Sequence, residues 1–163
     1  MSEALQTAPV PLRQPQGSFP GKLDDKGRLK LATKVEAYLR SLPDQQFFVT
    51  SVNRRTARLY PISMWMKSLE DLKRIEGKSK EVRLYRETAQ RLGSEAEIDS
   101  AGRIQFSPEL RRGLLLEGKG LHLMPVDGWY EITTEEIAKV NDAEMDKNGE
   151  AIEQQVEDAL SRL

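Results

Sequence analysis

The stretch Leu23-Asp24-Asp25-Lys26-Gly27-Arg28-Leu29-Lys30-Leu31 returns 75 residues later as Ile98-Asp99-Ser100-Ala101-Gly102-Arg103-Ile104-Gln105-Phe106. Each copy is an apolar residue, then Asp-x-x-Gly-Arg, then two apolar residues flanking a polar one. One copy reads as a hairpin, with glycine supplying the positive φ of a tight turn. Two copies make the chain an internal duplication. The same offset of 75 aligns Leu39 with Leu114, so the match extends from the hairpin into the segment that follows it.

Outward from the first copy, Phe19 to Leu23 and Arg28 to Leu31 read as short strands around the Asp25-Lys26-Gly27 turn. Thr33 is the expected N-cap of a helix ending near Leu42, where Pro43-Asp44 stops it. Phe47 to Val52 and Ala57 to Tyr60 predict a further strand pair. Ile62, Trp65, Leu69, Leu72 and Ile75 recur at helical spacing, as do Val82, Tyr85, Ala89 and Leu92, with Gly77 between the two runs and Gly93 closing the second. The second unit replays the first. Ser107, Pro108 and Glu109 start its helix, Gly118-Lys119-Gly120 turns, and Leu121 to Val126 and Trp129 to Thr133 form its closing pair. From Thr134 the chain reads as helical and acidic, with Ile152, Val156, Leu160 and Leu163 on one apolar stripe. The organisation expected is a flexible leader over 1–16, a first repeat over 17–61, connecting helices over 62–94, a second repeat over 95–139 and an acidic helical tail over 140–163.

Composition narrows the function classes. The chain has 163 residues, 38% hydrophobic and 31% charged, with no cysteine and one histidine. No apolar run approaches the roughly 20 residues that span a bilayer, and the N-terminus lacks the apolar core of a signal peptide. A cytoplasmic setting is the expectation. The net charge of −1 conceals an uneven distribution. Gly17 to Tyr60 carries nine cations against four anions, net +5, and Asn141 to Leu163 carries two against seven, net −5. A near-neutral total therefore leaves room for a local nucleic-acid surface.

Catalytic chemistry is poorly represented. His122, between Leu121 and Leu123 in an expected strand, reads as a surface or subunit-contact residue before it reads as an acid–base group. Asp24 and Asp25 are neighbours and would point to opposite sides of a strand. Gly118-Lys119-Gly120 lacks the strand–loop–helix context of a phosphate loop. The charged stretch Glu76 to Glu87 reads as a solvated helix face, and Trp65 and Trp129 as packing. No catalytic residue, cofactor or metal site is expected, and neither a membrane nor a small-molecule substrate.

The duplicated loops remain. Their structural reading is that Asp caps the turn and pairs with its own Arg. Hairpin stability alone does not demand Arg twice at matched positions, and a repeated Arg suits a ligand that itself repeats. The guanidinium fork matches guanine O6 and N7, and an adjacent carboxylate can orient it. Arg28 and Arg103 are thus candidate DNA-reading residues, oriented by Asp24 and Asp99. Lys22, Lys26, Lys30 and Lys34 are expected to neutralise phosphates around the first loop, and Arg111 and Arg112 around the second. The first loop is expected to be the more basic of the two.

These residues carry a family resemblance. The two Asp-x-x-Gly-Arg segments, the Pro108-Glu109-Leu110-Arg111 run after the second, and Arg58-Leu59-Tyr60-Pro61 with Trp65 between them resemble the MraZ family of bacterial regulators of the division and cell-wall gene cluster. The resemblance covers about Gly17 to Lys139. It implies an α+β fold of two pseudo-symmetric β-α-β halves forming a swapped-hairpin (double-split) β-barrel related to AbrB/SpoVT folds, with helices between the halves and at the C-terminus. It further implies a ring-shaped homo-oligomer that is nucleoid-associated. Such a ring would bind closely spaced G-rich direct repeats in double-stranded promoter DNA and repress the cluster, its own gene included. The competing reading is an oligomeric protein-interaction or antitoxin-like assembly module without specific DNA readout, with the tail or leader binding a partner.

Overall fold

The structure, a computed structural model, describes residues 12–163. The expected leader lies outside the described residues as far as Pro11. Beyond it, Gln14 accepts a hydrogen bond from the Gly128 amide at 2.8 Å and donates to the Trp129 carbonyl at 2.9 Å.

The first half runs β1 (Phe19–Lys22), β2 (Arg28–Lys30), α1 (Thr33–Arg40), β3 (Phe47–Thr50) and β4 (Ala57–Pro61). Two helices follow, α2 (Ile62–Leu72) and α3 (Ser79–Leu92). The second half repeats the order as β5 (Ser94–Ala96), β6 (Arg103–Gln105), α4 (Pro108–Gly113), β7 (Gly120–Val126) and β8 (Trp129–Thr134). A 26-residue helix, α5 (Glu135–Leu160), ends the chain and runs unbroken past residue 140.

The strands of the two halves interleave. A six-stranded antiparallel sheet has the order β1-β7-β8-β4-β3-β5, so each half's first strand pairs with the third strand of the other half. The equivalent strands β4 and β8 meet at the centre. The two remaining strands, β2 and β6, pair with each other in a separate ribbon, with Leu29 opposite Ile104. The α+β class holds. Among the described residues the strand pairings form an open sheet with β1 and β5 at its edges plus this ribbon, and no closed barrel.

The apolar positions of the repeat converge. Leu23, Leu29, Leu31, Val35 and Leu39 of the first copy join Ile104, Phe106 and Leu110 of the second in one buried cluster, with Ile98 and Leu114 packed against it. Matched sequence positions thus supply matched halves of one core. A smaller cluster of Phe48, Tyr60, Trp65 and Ala89 attaches α2 and α3 to the sheet. Trp65 stacks on Phe48 at 4.8 Å, and Trp129 lies under the Arg58 guanidinium at 4.6 Å. Both tryptophans serve packing.

A local signal sets where α4 begins, and a contact across the chain sets where α1 begins. Ser107 caps α4, accepting from the Leu110 amide at 3.1 Å, and Pro108 occupies the first turn. Its partner helix α1 differs from expectation. Ala32, not Thr33, is the N-cap, and it makes no side-chain cap. The Leu31 amide is tied to the Gly102 carbonyl at 2.9 Å and the Leu31 side chain is buried, so the chain must turn at the next residue. The first helical bond then runs from the Glu36 amide to the Ala32 carbonyl.

The Leu29–Ile104 pair sits at the middle of the ribbon with both side chains fully buried. Leu29→Ala should therefore cost about 2–5 kcal/mol of unfolding free energy. Urea denaturation followed by circular dichroism measures this, and a loss below about 1 kcal/mol would show that the ribbon is not part of the cooperative core.

Candidate functional site

The candidate site is the pair of turns at the two ends of the β2–β6 ribbon. Each turn is built the same way. In the first, Asp24 Oδ1 accepts from the amides of Lys26 and Arg28, both at 2.9 Å, and Oδ2 accepts from Arg28 Nε at 2.8 Å. In the second, Asp99 Oδ1 accepts from the amides of Ala101 and Arg103, and Oδ2 from Arg103 Nε, all at 2.9 Å. Gly27 and Gly102 have φ of +79° and +78°, the left-handed region that favours glycine, and their amides return to the Asp24 and Asp99 carbonyls at 3.0 Å. The sequence spacing is explained by this wiring. Asp needs the amides two and four residues ahead, glycine must make the bend, and Arg must follow directly to meet the free carboxylate oxygen.

The expected pairing of each Asp with its own Arg is present, and it engages Nε. Of the Arg28 guanidinium nitrogens only Nε is hydrogen-bonded among the described residues, so the two terminal nitrogens keep their donors free. The Arg28 and Arg103 side chains are 26% and 33% exposed, enough for a ligand to reach while the Nε contact fixes their direction. The Arg103 side chain reaches across the ribbon toward the first turn, its Nη1 4.0 Å from Asp24 Oδ2.

Both aspartates ionise below the ordinary range of their side chain. The largest cause is the hydrogen bond from the backbone amide of the motif arginine; the arginine side chain adds to it, and desolvation opposes.

The basic residues are distributed differently from the sequence expectation. Lys22, Lys26, Lys34 and Arg112 are exposed and free of ion pairs among the described residues. Lys30, expected at the first loop, reaches across the ribbon to the second. Its Nζ donates to the Ala101 carbonyl and lies 3.7 Å from Glu36. Arg111, expected at the second loop, lies against the first, where its guanidinium fills the space a side chain on Gly27 would take. Its Nη1 pairs with Glu117 at 3.2 Å. The cause is the antiparallel pairing of β2 with β6, which carries each turn to the helix of the other half. Sequence reasoning assigned neighbours by chain proximity and missed Arg40 and Gln105. Arg40 Nη2 donates to the Asp99 carbonyl at 2.7 Å, and Gln105 Nε2 to the Lys26 carbonyl at 2.8 Å.

His122 hydrogen-bonds Glu135 at the start of α5 and lies 3.4 Å from Ser18 Oγ, a tie between β7, the chain before β1, and α5. Among the described residues no group of three His, Asp or Glu side chains is arranged to hold a metal ion, and no helix is long and apolar enough to cross a membrane.

The fold and site define a duplicated α+β protein that mounts two arginine-bearing turns on one ribbon. Comparison with known proteins narrows the class. The chain is 31% identical over 112 residues to the transcriptional regulator MraZ of Koribacter versatilis, covering 64% of this chain and 71% of that one. It is 26% identical over 126 residues to its namesake in Acidobacterium capsulatum, covering 77% and 86%. With that of Leuconostoc mesenteroides the identity is 28% over 127 residues, covering 73% and 86%. No family model matches the chain. The chain belongs to the MraZ family.

The lowered Asp24 and Asp99 ionisation gives a signed pH dependence. A carboxylate that is more acidic folded than unfolded stabilises fully above the ordinary value of 3.8 and loses that contribution as pH falls through its folded value. Carboxyl-carbon NMR titration should place both midpoints below 3.8. A midpoint at or above that value in either loop would mean that the Asp–Arg turn does not persist in solution.

Proposed function

We propose that this chain is a sequence-specific DNA-binding transcriptional regulator and no enzyme. It reads closely spaced G-rich direct repeats in double-stranded promoter DNA through its two Asp-x-x-Gly-Arg turns. The observation that carries the reading is the shared wiring of these turns: each Asp holds the Nε of its Arg, which leaves terminal guanidinium nitrogens for a base edge. Asp24 and Asp99 orient; Arg28 and Arg103 read. Lys22, Lys26 and Lys34, with Arg111 and Arg112 on α4, supply the cations for flanking phosphates. Lys30 contributes by holding the second turn.

The family's naming as transcriptional regulators supports a regulatory role. In this reading the protein is cytoplasmic and nucleoid-associated and represses the division and cell-wall gene cluster, its own gene included. It acts as a homo-oligomeric ring whose repeated weak contacts add through linkage. The swapped-hairpin architecture is part of the proposal, supported by the exchange in which β1 pairs with β7 and β5 with β3. So is the division into a leader over 1–16, repeats over 17–61 and 95–139 joined by residues 62–94, and a tail over 140–163.

A second reading, an assembly module without DNA readout, draws support from α5, which buries no residue along its 26 and exposes Val140, Met145, Val156 and Leu160. Salt separates the two. Binding through phosphates weakens steeply with added salt, whereas apolar assembly does not.

Arg28→Ala or Arg103→Ala should each weaken binding to DNA from upstream of the protein's own gene by about 1–3 kcal/mol per bidentate contact, before avidity multiplies the loss. Electrophoretic mobility shift is the measurement. A double variant that shifts this DNA as well as the wild type does would sink the assignment.

A further inference from the structure

The repeat that makes the two turns alike also shows where they differ. Offset by 75, Glu36 of α1 is the counterpart of Arg111 of α4, Lys30 of Gln105, and Arg40 of Leu115. Because the ribbon exchanges the halves, each turn is flanked by the other half's set. A side chain built on Gly27 would collide with the Arg111 guanidinium; one built on Gly102 would collide with the Glu36 carboxylate. The same structural position beside the two turns thus holds a guanidinium in one case and a carboxylate paired with Lys30 in the other.

The wiring around Glu36 is more extensive than that around Arg111. Arg40 Nε donates to Glu36 Oε2 at 2.8 Å, and Lys30 Nζ lies 3.7 Å from Oε1. These two cations donate onward to the Asp99 and Ala101 carbonyls of the second turn. The first turn is held instead by the neutral amide of Gln105. So the cations nearest the second turn are committed to a carboxylate and to backbone oxygens. Glu36, at 24% side-chain exposure, also keeps its negative charge at the surface beside the turn tip.

We propose that Glu36 makes the two turns unequal toward DNA: it withholds phosphate engagement at the second turn, whereas the first turn, flanked by Arg111, carries the phosphate contacts. The inference rests on the DNA-binding reading above. A phosphate approaching the second turn meets a carboxylate in the space a side chain on Gly102 would take and finds Lys30 and Arg40 already paired with it. A phosphate approaching the first meets the Arg111 guanidinium, a side chain 15% exposed whose one ion-pair partner among the described residues, Glu117, is 58% exposed and free to swing away. Base reading by Arg103 persists in this scheme; what the second turn lacks is backbone attraction. Glu36 is a positioning residue for Lys30 and Arg40 as well as a charge in its own right, so the test must separate the two roles.

The experiment measures affinity for a duplex carrying the G-rich direct repeats from upstream of the protein's own gene, across a salt series. It compares wild type, Glu36→Gln, Glu36→Arg, Arg111→Gln and the Arg28→Ala/Arg103→Ala double variant, each melted to check folding. Glu36→Gln should tighten binding about threefold to tenfold at low salt, and the slope of log K against log salt should steepen by about 1, the increment for one further phosphate. Glu36→Arg should exceed it in both. Arg111→Gln should weaken binding and flatten the slope by a similar amount. Unchanged slopes in folded Glu36 variants overturn the inference, as does weaker binding by them, which would make Glu36 purely a scaffold. Should Glu36 variants fail to melt cooperatively, an Arg111→Gln slope equal to wild type overturns it instead. If wild-type affinity is indifferent to the loss of Arg28 and Arg103, the DNA reading itself fails. If it depends on them and the slopes do not move, only the inequality of the turns fails.

Discussion

The antiparallel pairing of β2 with β6 is the contact on which the rest depends. It is three residues long on each side, yet it brings the two copies of the repeat into one object. The Leu31 amide on the Gly102 carbonyl and the Phe106 amide on the Gly27 carbonyl, both 2.9 Å, lock each turn to the strand end of the opposite copy. Beneath them Leu29 and Ile104 close the core. A three-residue strand has too few hydrogen bonds to persist alone. What holds it is burial: Leu29, Leu31, Ile104 and Phe106 all lie inside the same apolar cluster. The ribbon is therefore both the hydrophobic junction of the halves and the mount of the candidate site.

That arrangement reconciles a rigid turn with a usable arginine. The carboxylate of each turn is saturated by two amides and one Nε, so the turn is satisfied without a ligand. The terminal guanidinium nitrogens are then directed without being consumed. A flexible arginine would lose side-chain entropy on binding; one already held at Nε loses less. One hydrogen-bond pattern thus accounts for the turn's structure and for the proposed use of its arginine.

Exchange between the halves has an electrostatic consequence as well. Counting charges along the chain puts Lys30 with the first turn and Arg111 with the second. In space they trade places, and Arg40 joins Lys30 at the second turn. A basic stretch in sequence is thus divided between two sites, and part of it is spent internally on Glu36 and on carbonyl oxygens. The acidic charge of the last 23 residues resides on α5, a helix that buries none of its side chains.

Much of this protein was legible in one dimension because the governing interactions are local. Asp24 to Arg28 and Asp99 to Arg103 close within five residues, so their spacing alone encodes the turn, the required glycine and the paired arginine. The Ser107-Pro108 helix start is local in the same sense, and the alternation within the repeat marked Leu29, Leu31, Ile104 and Phe106 as the apolar positions that turn out to be core. Other features depended on contacts that cross the chain. Ala32 rather than Thr33 caps α1 because Leu31 is tied to Gly102, 71 residues away. The neighbours of each turn come from the other half because β2 finds β6, and the strands pair as an open sheet with a separate ribbon. By itself the sequence determined two copies of a self-satisfied arginine turn on an α+β duplication. Only the tertiary structure decided which charges stand beside which turn, since pairing between distant strands sets that neighbourhood and chain order does not.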